Sequence, residues 1–134
     1  AFPDMATPRR SLYLMSVRTG AKAAEFAPLF DAPDCGAIVE RRNFSTVAPQ
    51  ALFFMNDPFV IELADALAQR IGREIPGDNA RQWIDRIYQI ALGRSPTSEE
   101  VEVGLQLVGD GANAEAWSRY CHVVLCTNEL VYVD

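Results

Sequence analysis

Thr46-Val47-Ala48-Pro49-Gln50-Ala51-Leu52-Phe53-Phe54-Met55-Asn56-Asp57-Pro58-Phe59-Val60 carries the end of one helix and the start of the next in a single line. An Asp side chain accepts an orphan amide hydrogen at a helix start, and proline in the first helical position gives up no hydrogen bond. Asp57 therefore caps a helix that Pro58 opens. Upstream, Ser45 or Thr46 supplies the cap of a short helix running through Met55.

Downstream of Pro58, Val60, Leu63, Ala64, Leu67, Ile71 and Ile75 recur at helical spacing, with Glu62, Asp65, Gln69 and Arg73 on the other side. This is the pattern of a surface helix laid on a core. Pro76-Gly77-Asp78-Asn79 interrupts it. The next helix presents Ala80, Trp83, Ile84, Ile87, Tyr88 and Ala91, and Gly93 supplies a left-handed position that ends helices cheaply. Thr97 followed by Glu100 reads as a capping box, placing a helix over Ser98 to Val108. After the turn Gly109-Asp110-Gly111, Asn113 caps a last helix with the apolar stripe Trp117, Tyr120, Cys121, Val124 and Leu125.

Upstream, Ser11 to Arg18 alternates without a clear polar face, which fits a short extended segment buried on both sides. Ala21 to Phe30 has helical composition, and the turn-rich Asp31 to Gly36 opens a loop reaching Ser45. The expected fold is mostly all-α: a bundle-like domain of five to six helices with a short extended N-terminal segment. A chain of 134 residues with 49% hydrophobic content suffices for one core, so residues 1–134 read as a single helical domain. No repeat or low-complexity tract occurs.

The formal charge of -6 opposes a nucleic-acid partner, because such binding draws affinity from a concentrated basic face. No apolar run approaches the roughly 20 residues of a membrane span. Ala1 to Asp4 show neither an initiator Met nor a leader, so the chain is expected to be a piece of something longer. Cys35, Cys121 and Cys126 can form at most one bridge. Five residues along a helix turn Cys121 and Cys126 about 140° apart, which leaves Cys35 with one of them as the open pairing. Asp31 and Asp34 make Cys35 a poor nucleophile.

No nucleophile elbow, histidine cluster or phosphate-cradling Gly loop is present, so triads, zinc sites and nucleotide sites are not expected. Asp31 with Asp34, or Glu99 with Glu100, lie side by side rather than across a cleft; Glu99 and Glu100 suit the helix dipole better than glycoside hydrolysis. His122 is the lone histidine and the one side chain whose ordinary pKa suits proton transfer near neutrality. Eleven of the 12 basic residues are Arg, including the doublets Arg9-Arg10 and Arg41-Arg42 in non-helical segments. These doublets are expected to tie the N-terminal segment and loop to acids such as Asp31, Glu62 or Glu129, with an anionic glycan or carboxylate as the alternative ligand. Gln50 and Asn56 are expected to bond backbone at the helix junction, with a ligand role as second reading. The candidate ligand-binding residues are thus Arg41, Arg42, Gln50, Asn56 and His122.

The stretches Arg9 to Tyr13, Phe30 to Pro33, Arg41-Arg42, Thr46 to Leu52, Met55 to Val60, Leu92 to Thr97 and Asn128 to Asp134 together resemble the C-terminal domain of the planctomycete-type cytochrome-associated secreted proteins, a domain family of unknown function. That family usually carries Phe where this chain has Leu130. The resemblance implies the C-terminal part of a larger exported protein, periplasmic or at the cell surface, with a c-type haem domain and a second domain ahead of it. It carries over no catalytic residue.

Haem association gives interest to Ser118-Arg119-Tyr120-Cys121-His122, a haem-attachment sequence with Ser in place of its first Cys. On a helix, Cys121 lies with Trp117 and Val124, whereas His122 lies with Ser118 and Arg119, so the two are not expected to converge on a haem. No cofactor is expected in these residues themselves. The expected function is a non-catalytic structural or interaction module docking on upstream domains of its own chain. A saccharide-binding or saccharide-active domain using Trp83, Trp117, Tyr88 and Tyr120 is the alternative. An electron-transfer accessory using His122 or Met5, Met15 or Met55 is a third reading.

Overall fold

A computed structural model describes residues 30, 48–77, 79–109 and 113–131. The expected extended segment of Ser11 to Arg18, the expected helix from Ala21 (Phe30 excepted), Cys35, Arg41, Arg42 and the expected cap at Ser45 or Thr46 fall outside them. Chain contacts divide the protein into two units, Ala1–Gln50 and Ala51–Asp134. The described residues form six helices and no strand: α1 (Ala48–Asn56), α2 (Pro58–Glu74), α3 (Ala80–Ala91), α4 (Ser98–Val108), α5 (Ala114–Leu125) and α6 (Asn128–Val131).

Each boundary is written locally. Asp57 accepts the Phe59 amide at 2.9 Å, and Pro58 stands at the head of α2. Asn79 accepts the amide of Gln82, and Asn113 that of Glu115. Thr97 Oγ1 accepts the Glu100 amide while Glu100 accepts the Thr97 amide at 2.7 Å, closing the capping box. Gly93 follows α3 with φ of 73°, a conformation that costs glycine no Cβ clash.

The core of the second unit is built by α2, α3, α4 and α5, with α2 packed most extensively on α5. Ile71, Ile84, Ile87 and Cys121 are wholly buried. Each buried large aliphatic contributes roughly 1.5–3 kcal/mol through water exclusion. Trp117 joins the aromatic layer: its ring lies 4.7 Å from that of Trp83 and 6.1 Å, nearly perpendicular, from that of Tyr120. Trp83 also donates its indole N–H to the Ile75 carbonyl at 3.0 Å, satisfying a carbonyl just past the end of α2.

The buried face of α2 differs from its expected stripe. Val60, Ala64, Ala68 and Ile71 are buried, whereas Leu63 is exposed and Leu67 only partly covered. The stripe is rotated so that two alanines face inward. Small side chains let a helix backbone approach its neighbour closely, and here the neighbour α5 brings large aromatics.

Candidate functional site

The most elaborate polar cluster in the described residues gathers around Arg94, in the connection between α3 and α4. Gly93 turns the chain out of α3, and the capping box fixes Glu100 in the first turn of α4. Arg94 forks onto Glu100, Nη1 to Oε2 at 2.9 Å and Nη2 to Oε1 at 2.7 Å. It forks a second time onto Glu129 of α6, Nε to Oε1 at 2.6 Å and Nη2 to Oε2 at 2.7 Å. Nη1 also donates to the Ser95 carbonyl, and the guanidinium centre lies 5.2 Å from the centroid of the Tyr88 ring.

Such a cluster is electrostatically settled. The Arg94 guanidinium, helped by the Thr97 amide, holds the Glu100 carboxyl down to about 2. Arg94 likewise holds Glu129 below the usual carboxylate range. A general acid in glycoside hydrolysis needs a raised pKa. Glu100 and Glu129 are shifted the other way and stay ionised, so this pair of acids acts as a tether and not as a proton donor.

A second cluster joins α1 to α5. The Phe54 carbonyl accepts from His122 Nε2 at 2.8 Å and from the Cys126 thiol at 3.3 Å. A carbonyl only accepts, so His122 carries its proton on Nε2. Asn56 donates its side-chain amide to the Leu52 carbonyl at 2.9 Å. Asn56 and His122 therefore both serve carbonyls of α1, while Gln50 is buried within the same helix. Arg41 and Arg42 lie outside the described residues.

Neither described thiol is primed for nucleophilic work. Burial, reinforced by the charge of Asp65, pushes Cys121 up to about 12, and burial raises Cys126 as well. Both are free thiols. Within the Ser118 to His122 pattern, Cys121 is sealed in the core, while His122 Nε2 is engaged with α1.

The aromatic residues of the alternative saccharide reading are engaged in packing. Trp117, Tyr88 and Tyr120 are buried, and Trp83 is partly buried against Trp117. A shallow, open depression lined by Ile75, Asn79, Arg81, Gln82, Asp85 and Arg86 mixes charges, and Arg86 is paired with Glu74 at 2.9 Å. Among the described residues, no group of three His, Cys, Asp or Glu side chains is placed to hold a metal ion. No described helix is long and apolar enough to cross a membrane.

Arg94 is the residue that the sequence reading missed. Glu129, one of the acids expected for the arginine doublets, receives Arg94, while the doublets themselves lie outside the described residues. A local signal existed, since Arg94 stands three residues before the capping Thr97, but its second partner lies 35 residues further along.

A family model described as PSD1, protein of unknown function (DUF1553), matches residues 3–108, and the chain belongs to that family. The match ends with α4, so α5 and α6 lie beyond it. No curated protein and no solved structure matches the chain.

Proposed function

We propose that this DUF1553 domain is a non-catalytic interaction module that docks through the corner between α1 and α2 onto preceding domains of its parent polypeptide. The observation that carries the reading is the exposure of Leu52, Met55 and Phe59, each more than half accessible, together with Ile61 and Leu63 within the same twelve residues. Large apolar side chains scattered singly are ordinary, and a run of five within one helical corner supports docking there. The state of the reactive groups supports the same reading. The acids of the Arg94 cluster are neutralised in ion pairs, both described thiols are held protonated, and His122 is bonded to backbone.

Resemblance to cytochrome-associated secreted proteins supports an exported parent that carries c-type haem elsewhere, with this domain contributing contact and no ligand to iron. The test is to supply the preceding region of the parent as a separate polypeptide and titrate it with this chain by calorimetry. Binding that is lost in a Leu52→Ser/Met55→Ser/Phe59→Ser variant with an unchanged melting temperature supports docking. Full binding by that variant, or none by the wild type, overturns it.

A further inference from the structure

α6 is too short to stand alone. Four residues cannot close enough hydrogen-bonded turns to offset helix nucleation. It continues from α5 through Cys126 and Thr127, where Thr127 Oγ1 bonds the Val124 carbonyl and the Leu130 amide bonds the Thr127 carbonyl. Those bonds shape the turn at the end of α5 and reach no helix beyond it. Leu130 is only partly covered, and among the described residues α6 shares no packing as extensive as that joining α2 to α5. Among the described residues, the side-chain bonds joining α6 to another part of the unit are the two from Arg94 to Glu129.

We infer that α6 is a charge-operated latch: the Arg94–Glu129 pair holds Asn128–Val131 closed, and neutralising the Glu129 carboxylate releases it while the core of α2 to α5 stays folded. The geometry favours release over collapse, because Arg94 keeps a second, independent fork on Glu100 and its place over Tyr88. Opening the latch therefore leaves no buried charge unpaired. It exposes one side of a guanidinium that is already about one-third accessible. The charged and titratable groups bearing on the pair are Glu100 from α4 and Tyr88 from α3, and Tyr120 from α5 faces those two in turn. Glu100 stays with Arg94 when Glu129 leaves, and both phenols are pushed up by burial, so neither gains charge near neutrality.

The experiment uses the 134-residue chain, isotope-labelled, with amide relaxation measured for wild type, Glu129→Gln and Glu100→Gln. In Glu129→Gln, the amides of Asn128–Val131 should fall from order parameters near 0.85 to below about 0.6, while the near-ultraviolet circular dichroism of the Trp83–Trp117 pair is unchanged. Glu100→Gln retains a side chain suited to the capping box and should leave α6 ordered. Wild-type order at Asn128–Val131 in Glu129→Gln overturns the latch. So does loss of the tryptophan signal in that variant, which would make α6 part of the cooperative core.

Discussion

The hydroxyl of Tyr120 stands 2.7 Å from the point a Cβ on Gly104 would occupy, and the Ile84 Cδ1 stands 2.9 Å from it. Gly104 is thus the place where α4 opens to receive a phenol from α5. That hydroxyl lies beside Tyr88 yet makes no well-formed hydrogen bond, so it is held there by packing.

Gly104→Ala tests that contact with opposing effects. Alanine improves helix propensity by about 1 kcal/mol, but the methyl group must displace a ring fixed in the core, and overpacking typically costs about 1–3 kcal/mol. Net destabilisation of up to about 2 kcal/mol is expected from the midpoint of urea unfolding. Pairing it with Tyr120→Phe, which removes the crowding oxygen, should recover part of the loss. A double variant no better than Gly104→Ala would place the strain at Ile84.

Acid stability should report the Arg94 cluster. Glu100 sits at about 2 in the folded protein against 4.5 when unperturbed. A carboxyl lowered by folding contributes stability that is present above 4.5 and is lost as pH falls toward 2. Unfolding midpoints measured at pH 6, 4.5 and 2.5 should therefore drop across the lower interval. The drop should be smaller in Glu100→Gln, which has no carboxyl to protonate. Glu129 works in the same direction through the same arginine.

Thiol reactivity separates the two described cysteines. Cys121 has no accessible surface and is held protonated by burial, while Cys126 is partly exposed with its thiol on the Phe54 carbonyl. With Cys35 replaced by Ser, a disulfide reagent at pH 8 should titrate Cys126 in the native protein and reach Cys121 only on unfolding. Equal rates at both positions would mean that the α2–α5 interface opens on the timescale of the reaction.

The starts of α2 to α5 proved legible because each is a local transaction. Asp57 with Pro58, Asn79, Thr97 with Glu100, and Asn113 all satisfy amides within three residues, and neighbouring residues are what a sequence displays directly. The Arg94 tether escaped because its meaning depends on Glu129, which folding and not spacing brings alongside. The face of α2 was half legible. Hydrophobic ranking favours Leu63, yet Ala68 is buried, because the space left by α5 admits small side chains there. Asn56 stands out in the sequence as a polar residue at the helix junction and His122 as the lone histidine, but that the Phe54 carbonyl receives His122 depends on the helices being in place.

That rotated face gives a paired prediction within one helix. Leu63 is 45% exposed, so Leu63→Ser removes little buried surface and should change stability by no more than about 0.5 kcal/mol. Ala68 is 8% exposed in the core cluster, so Ala68→Leu must force three extra carbons into packed space and should cost about 1–3 kcal/mol. The expected stripe, with Leu63 inward and position 68 outside it, orders the two differently: Leu63→Ser would be costly and Ala68→Leu nearly silent. Urea midpoints for the two variants decide between the registers, since a helix rotation of some tens of degrees exchanges their ranks.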